Sequence, residues 1–311
     1  MLTRTRLRTW RRRAAVAALA FAAPAVAGPR PAEAAPPETV VARVDALVTV
    51  TAGAGVANRV ILSVDAGELV VADAAVAVAA GDGCAGGGLA EARCDLAGVT
   101  EVRVVLGDQN DVLAKPTPLP VPLLYDGGEG NDTFVAATVA DGADTFLGGA
   151  GADTVSYAQR SARVTVRLDG VADDGAAGEG DDVGSDVETV FGGTGDDLLV
   201  GSDAPNTLSA GTGNDVVDGR GGGDAIVDNL GDDSYAGGEG ADVFSTTVDL
   251  GGADDFSGGP GIDIVSYGAR GDRQSVRVTL DDVDDDGFDG EHDNVRTDVE
   301  NVAGSGAADT L

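Results

Sequence analysis

The chain has one histidine, one tryptophan, one methionine, one lysine and two cysteines among 311 residues, and aromatics make up 4% of it. A lone histidine, His292, and the lack of a G-x-S-x-G motif leave a serine or cysteine hydrolase without a general base. Scarce aromatics argue against the sugar-lined cleft that a pair of glycosidase carboxylates needs. Zinc selects histidine or thiolate, which this sequence does not provide. No stretch beyond the first 27 residues holds a 3.6-residue apolar period, so helices are not expected. The sequence reads as a non-enzymatic, all-β chain.

What is abundant is glycine and acid. The 48 glycines raise the entropy cost of ordering the backbone, and much of the 43% hydrophobic content is alanine and valine, so a thick core is not expected. With 53 acidic residues against 20 basic ones, the formal net charge is -33. That charge repels phosphate backbones and excludes nucleic acid as a partner. It also repels itself, for which a multivalent cation is the natural remedy.

Residues 1–27 read as a signal peptide: a basic stretch "MLTRTRLRTWRRR", then "AAVAALAFAAPAVA", ending in an A-x-A pattern at Ala25, Val26 and Ala27. A second A-x-A at Ala32, Glu33 and Ala34 leaves the cleavage point open, and Arg11–Arg12 leaves the twin-arginine route open beside the general secretory one. The apolar run is too short to span a bilayer, so the mature chain is expected to be secreted, extracellular and without a transmembrane anchor. Six arginines precede Ala27, so their removal takes the charge from -33 to about -39. Residues 28–38 form a Pro/Ala-rich linker. Cys84 and Cys94, ten apart in an exported chain, are expected to form a disulfide, the alternative being two thiols.

Residues 39–113 alternate short β-runs with Gly/Asp turns and read as a small β domain. The segment 114–126, with four prolines, is a joint or an opening coil. From Gly127 to Leu311 a nine-residue period takes over, with aspartate at position 6 and a large apolar residue at position 8, as in GGEGNDTFV at 127 and GGAGADTVS at 148. Six units run without a break from 192 to 245. A longer duplication overlies these units. Block 127–201 recurs as block 237–311, offset by 110 residues through Tyr157/Tyr267 and by 112 from Leu168/Leu280.

Glycines at positions 1, 2 and 4 permit positive φ in a tight turn, and positions 7–9 make a short strand whose position 8 points inward. Two units make an 18-residue coil, so residue i stacks on i+18. Asp197, Asp215 and Asp233 then line one edge, and Asn206, Asp224 and Asp242 the other. Carboxylates stacked at about 4.8 Å need a cation between them, and an oxygen-only ligand set selects calcium.

The GGxGxDxUx pattern, recurring about a dozen times in register from Gly127 onward, resembles the repeats-in-toxin (RTX, hemolysin-type) calcium-binding repeat. The resemblance implies an all-β fold, a calcium-loaded parallel β-roll or β-solenoid, here preceded by a small disulfide-bearing β domain. It implies Ca2+ ligands at Asp132, Asp144, Asp153, Asp197, Asp215, Asp224, Asp233, Asp242, Asp254, Asp263 and Asp309, with Asn206 as a weaker neutral substitute. The N-terminal region resembles segments that precede such repeats in exported high-GC bacterial calcium-binding proteins, and "GDQND" at 107–111 reads as a degenerate opening half-site. The acid-rich segments at 169–188 and 281–300 are extra calcium sites or solvated loops, and Tyr157 and Tyr267 are packing residues. The expected function is that of a secreted calcium-binding structural or interaction protein that folds on binding. One alternative is an accessory region of a secreted enzyme or adhesin, suggested by a repeat that stops at its eighth position, Leu311. Another is an adhesion module that joins anionic cell-envelope or matrix polymers through calcium. Oligomeric state has no signal in the sequence.

Overall fold

The computed structural model describes residues 38–86, 91–246, 252–270 and 274–311. The expected signal peptide, and the linker apart from Glu38, lie outside the described residues. The described chain is nearly all strand, and its one helical turn is the 3-10 segment Gly268–Arg270. Among the described residues no helix is long and apolar enough to cross a membrane.

Most strands are short and parallel, and successive strands alternate between two sheets. A long sheet stacks the strands Arg59–Asp65, Val112–Ala114, Thr133–Val135, Thr154–Ser156, Thr189–Phe191, Thr207–Ser209, Ala225–Val227, Val243–Ser245, Ile264–Ser266 and Asn301–Ala303 in that order. The opposite sheet is split in two. Its first run goes from Leu47–Thr51 through Glu101–Asp108, Leu123–Glu129 and Thr145–Ala150 to Asp182–Val183. Its second run goes from Val164–Arg167 through Leu198–Val200, Val216–Asp218, Ser234–Ala236 and Asp255–Ser257 to Asn294–Val295. One strand from each face makes a coil.

The register follows the repeat length. Leu199 pairs with Val217 and Val217 with Tyr235, both at a separation of 18. Where three extra residues lie between neighbouring units the separation becomes 21, as from Tyr235 to Phe256 and from Phe244 to Val265. The stacking begins upstream of the nonapeptides: Val104 pairs with Tyr125, and Leu113 with Phe134, so both sheets cross the 114–126 segment without a gap.

Position 8 supplies the core. Phe134, Phe146, Val155, Leu199, Leu208, Val217, Ile226, Tyr235, Phe244, Phe256 and Val265 are all at most 2% exposed. A three-residue strand sends only its middle side chain inward, so each unit contributes one core residue and the core stays thin. The aromatic positions coincide with the duplication. Phe134 lies 4.1 Å from Phe146 and 5.7 Å from Tyr125 between ring centroids, and in the second block the equivalents of these three rings, Phe244, Phe256 and Tyr235, also cluster, with Phe256 5.3 Å from Tyr235 and 5.7 Å from Phe244.

Both blocks interrupt the period in the same way. Val164–Arg167 turns back antiparallel onto Gly175–Ala176, and Val276–Arg277 does so onto Gly287–Phe288. At the other end of the molecule Glu68–Asp73 and Glu91–Asp95 extend the long sheet antiparallel, and a Cys84–Cys94 disulfide holds the terminal hairpin.

Because few residues fill the interior, each counts heavily. Phe134→Ala, which removes a fully buried ring between two aromatics, is expected to lower stability by about 3–5 kcal/mol, read as a drop in the denaturation midpoint. A change within the range of a surface substitution would show that the aromatic stack contributes little.

Candidate metal-binding site

Position 6 lies immediately before each strand, where the turn ends, and places its carboxylate at the edge of the interior. The aspartates fall on two lines. Before the long-sheet strands come Asp111, Asp132, Asp153, Asn206, Asp224, Asp242 and Asp263, with Glu188 and Glu300 taking the place in the interrupted coils. Before the split-sheet strands come Asp144, Asp181, Asp197, Asp215, Asp233, Asp254 and Asp293. The eleven expected ligands other than Asp309 are buried; Asp309 is half-buried.

Each line is a ladder. One carboxylate oxygen accepts from the backbone N–H of the equivalent residue one coil earlier. Asp197 N–H donates to Asp215 Oδ1 at 2.7 Å, Asp215 N–H to Asp233 Oδ1 at 2.7 Å, and Asp233 N–H to Asp254 Oδ1 at 2.9 Å. On the other line Asn206 N–H donates to Asp224 Oδ1, Asp224 N–H to Asp242 Oδ1 and Asp242 N–H to Asp263 Oδ1, at 2.7, 2.7 and 2.9 Å. Asp111, Asp132 and Asp153 continue this pattern at the N-terminal end, where Asp111 receives the N–H of Asn58. The "GDQND" stretch thus places its last aspartate on the ladder. At position 5 an exposed second ladder runs the opposite way, with Asn214 N–H donating back to Asp196 Oδ1 and Asp232 N–H to Asn214 Oδ1.

The second oxygen separates the sites. In seven of the twelve expected ligands, Asp132, Asp153, Asp215, Asp224, Asp242, Asp254 and Asp263, Oδ2 is buried and meets no hydrogen-bond donor of the protein. An uncompensated buried carboxylate oxygen is costly. On the long-sheet line these oxygens share a cradle with a backbone carbonyl of the next coil. A Cβ built on Gly258 would lie 2.5 Å from both Asp263 Oδ2 and the Asp298 carbonyl oxygen. One built on Gly148 would lie 2.7 Å from Asp153 Oδ2 and 2.5 Å from the Asp186 carbonyl. The first glycine of the repeat is therefore required because this space faces two oxygens. Positions 2 and 4 have a separate reason: Gly149 and Gly151 sit at φ +101° and +153°, and a Cβ on either would strike the carbonyl of Gly128 or Gly130 one coil below. A hard, oxygen-seeking ion with a flexible shell suits the cradle, since both donors are oxygen and one is anionic.

The remaining expected ligands each meet further donors of the chain. Asp144 Oδ2 meets the Lys115 ammonium, Asp197 Oδ2 takes the Gly193 N–H at 2.6 Å, and Asp233 Oδ2 takes the Tyr235 hydroxyl at 2.7 Å. Asn206 turns its oxygen to the Ser202 N–H at 2.7 Å and its amide to the Val187 carbonyl. Asp309 accepts from Val276 N–H and from Ser305 Oγ.

Each acid-rich interruption joins an exposed run, 169–173 or 281–285, which fits the solvated-loop alternative, to buried acids that meet donors of the chain. Asp174 is buried and takes Arg167 N–H and Val183 N–H on its two oxygens, at 2.7 and 2.9 Å, and Asp286 repeats this with Thr279 and Val295 at 2.6 and 2.9 Å. Asp181 and Asp293 stand on the ladder and each accepts a tyrosine hydroxyl, from Tyr157 at 2.8 Å and Tyr267 at 2.9 Å. The tyrosines that read as packing residues thus also close a coil by hydrogen bonding. A buried cluster that sequence reasoning missed surrounds Lys115. Its ammonium lies 2.6 Å from Asp141, while Arg160 forks onto Glu179 at 2.7 and 2.8 Å. Lys115, Arg160 and Glu179 fall outside the nonapeptide units and Asp141 stands at the variable third position of one, so no repeat position flagged them.

Burial is the main cause of raised carboxyl pKa values along the ladders: about 6 for Asp111, about 7 for Asp215 and Asp224, and about 8 for Asp254. Neighbouring ladder carboxylates add to it, Asp233 and Asp197 on Asp215 and Asp242 on Asp224.

No protein-family model matches the chain, and no curated protein matches it.

The raised values fix the sign of a pH effect for the metal-free protein. A carboxyl whose folded value exceeds its unfolded value, 3.8, gives stability that is fully present below 3.8 and is lost as pH rises through the folded value. In chelator, the melting temperature is therefore expected to fall steadily from about pH 5 to about pH 8. A melting temperature that rises over this window in chelator would contradict the assignment of these carboxyls.

Proposed function

We propose that the chain is an exported calcium-binding structural or interaction protein of the RTX type, whose aspartate ladders take Ca2+ between coils and whose fold is completed by binding. The observation that carries this reading is the set of buried Oδ2 atoms without a donor, which on the long-sheet line face a carbonyl oxygen of the next coil across a space kept open by glycine. Calcium fits because every candidate donor is oxygen. Magnesium demands a tighter octahedron and gives up its waters reluctantly. The residues would act as follows: position 6 provides the anionic oxygen, the turn carbonyls fill the coordination shell, and position 8 anchors the strand that holds both. The basic and apolar first 27 residues support export, and calcium is abundant outside the cell. A chain near -39 in charge, lacking such ions, expands. Binding free energy is then folding free energy.

The test is a calcium titration from chelated buffer, followed by circular dichroism, with magnesium as control. A cooperative gain of β signal in calcium alone is expected, with a midpoint on the order of 10⁻⁴ to 10⁻³ M. Asp224→Asn is expected to move that midpoint to higher calcium. Asp174→Asn, whose two oxygens are already filled by backbone N–H groups, is expected to lower the melting temperature of the calcium-loaded protein without changing the number of ions bound. Full β signal in chelator at neutral pH, or an equal response to magnesium, would overturn the reading.

A further inference from the structure

Just ahead of each duplicated block, the strand pairing places two different side chains at matching points of the fold. Lys115 directly follows the long-sheet strand Val112–Ala114, and Asp228 directly follows Ala225–Val227. Each donates its backbone N–H to the next strand of that sheet, Lys115 to the Val135 carbonyl at 3.0 Å and Asp228 to the Ser245 carbonyl at 3.1 Å. Val135 and Ser245 are equivalent under the 110-residue offset, so the two positions match. Both side chains enter the interior beside a ladder aspartate, and those aspartates, Asp144 and Asp254, also differ by 110.

At the first of these points the chain supplies its own cation. The Lys115 ammonium, fully buried, contacts Asp144 Oδ2 and lies 2.6 Å from Asp141. The ladder residue one coil earlier is the apolar Leu123, whose N–H donates to Asp144 Oδ1 at 2.9 Å. At the second point the lysine is replaced by Asp228 and the leucine by Asp233. Asp228, Asp233 and Asp254 are each at most 3% exposed, and one oxygen from each lies within 4.8 Å of the other two. The Tyr235 hydroxyl touches Asp228 Oδ1 at 3.1 Å and Asp233 Oδ2 at 2.7 Å, and with its one proton it donates to only one of them at a time. Asp228 Oδ2 and Asp254 Oδ2 are buried with no donor.

We infer that Asp228, Asp233 and Asp254 form a discrete, three-carboxylate site for a hard cation of the calcium type, at the point where the earlier copy uses the Lys115 ammonium. The site differs from the long-sheet cradles in its ligands: the first repeat position contributes a carboxylate where, on that line, glycine leaves room. It rests on the proposed function for the kind of cation, not for the place. Three anionic oxygens in a buried space suit a trivalent lanthanide as well as calcium, and the Tyr235 phenol, in contact with two of the carboxylates, is positioned to sensitise terbium emission.

The experiment counts ions on the intact chain by native mass spectrometry at saturating calcium, for wild type, Asp228→Asn and Asp228→Lys. The lysine variant copies the earlier arrangement. Each variant is expected to carry one ion fewer than wild type. In parallel, Tyr235→Phe is expected to keep the wild-type ion count but to lose a fraction of the terbium emission excited through tyrosine. Equal, non-zero counts in wild type and Asp228→Asn would overturn this inference alone and mean that Asp228 holds a proton rather than a metal ion. Absence of ions from wild type would overturn the proposed function with it. If the Asp228 variants do not fold, terbium emission unchanged by Tyr235→Phe would overturn the inference on its own.

Discussion

Stacked carboxylates are the constraint to which the rest of the molecule answers. Parallel coils bring equivalent residues to within about 4.8 Å of each other, and here the equivalent residue at each edge of the interior is usually an aspartate. Each aspartate commits one oxygen to the backbone N–H of the coil before it, which fixes its orientation and ties neighbouring coils together. The second oxygen is then aimed by geometry rather than by choice. On the long-sheet line it faces a carbonyl across a space that a Cβ at the first repeat position would fill, hence the glycine there. The strand that follows has three residues and one inward side chain, hence one large apolar residue per unit. The nine-residue pattern is a single solution to the placement of one carboxylate.

The two blocks act as an internal comparison, because the same backbone carries different charges. The clasp of Asp174 onto Arg167 and Val183 is repeated by Asp286 onto Thr279 and Val295, and the Tyr157–Asp181 bond by Tyr267–Asp293. Beside these copies, Lys115 with Asp144 becomes Asp228 with Asp254. A change from ammonium to carboxylate at one buried point leaves the strand pairing intact and changes only what must neutralise the site. The charge left to neutralise is therefore a property of individual coils, not of the fold as a whole.

Much of this was legible in the sequence, for a physical reason. Glycine, aspartate and a large apolar residue at fixed spacing report turn, edge and core directly, so the all-β character, the stacking at 18 and the position-8 core could be read from one unit and multiplied. The Cys84–Cys94 bond followed from spacing and from the expectation of export. What could not be read was which carboxylates are already satisfied. Asp144 and Asp153 occupy the same repeat position, yet Oδ2 of one meets Lys115, 29 residues away, and Oδ2 of the other meets no donor. Arg160 and Glu179, which make a buried fork, both lie in an interruption where no period ranks one residue above another. Satisfaction is decided by residues from other coils, and local pattern carries no information about them.

That limit is also an argument about why the regular run of the chain depends on something outside itself. A strict repeat places the same residue above and below each aspartate, so an aspartate in the uninterrupted run has other acids as neighbours and cannot find a base there. Internal neutralisation enters where the period is broken: the 114–126 segment brings Lys115, and the turn after Tyr157 brings Arg160. Within the regular run the amide at Asn206 removes one charge, while the Tyr235 hydroxyl gives Asp233 a hydrogen bond without neutralising it. Elsewhere the choice is a proton or a metal ion, and burial has already raised the carboxyl pKa values toward the neutral range, where the two compete on similar terms. Regularity and dependence on an external proton or metal ion are therefore one property: the more faithfully the nonapeptide is copied, the less the protein can neutralise its own core.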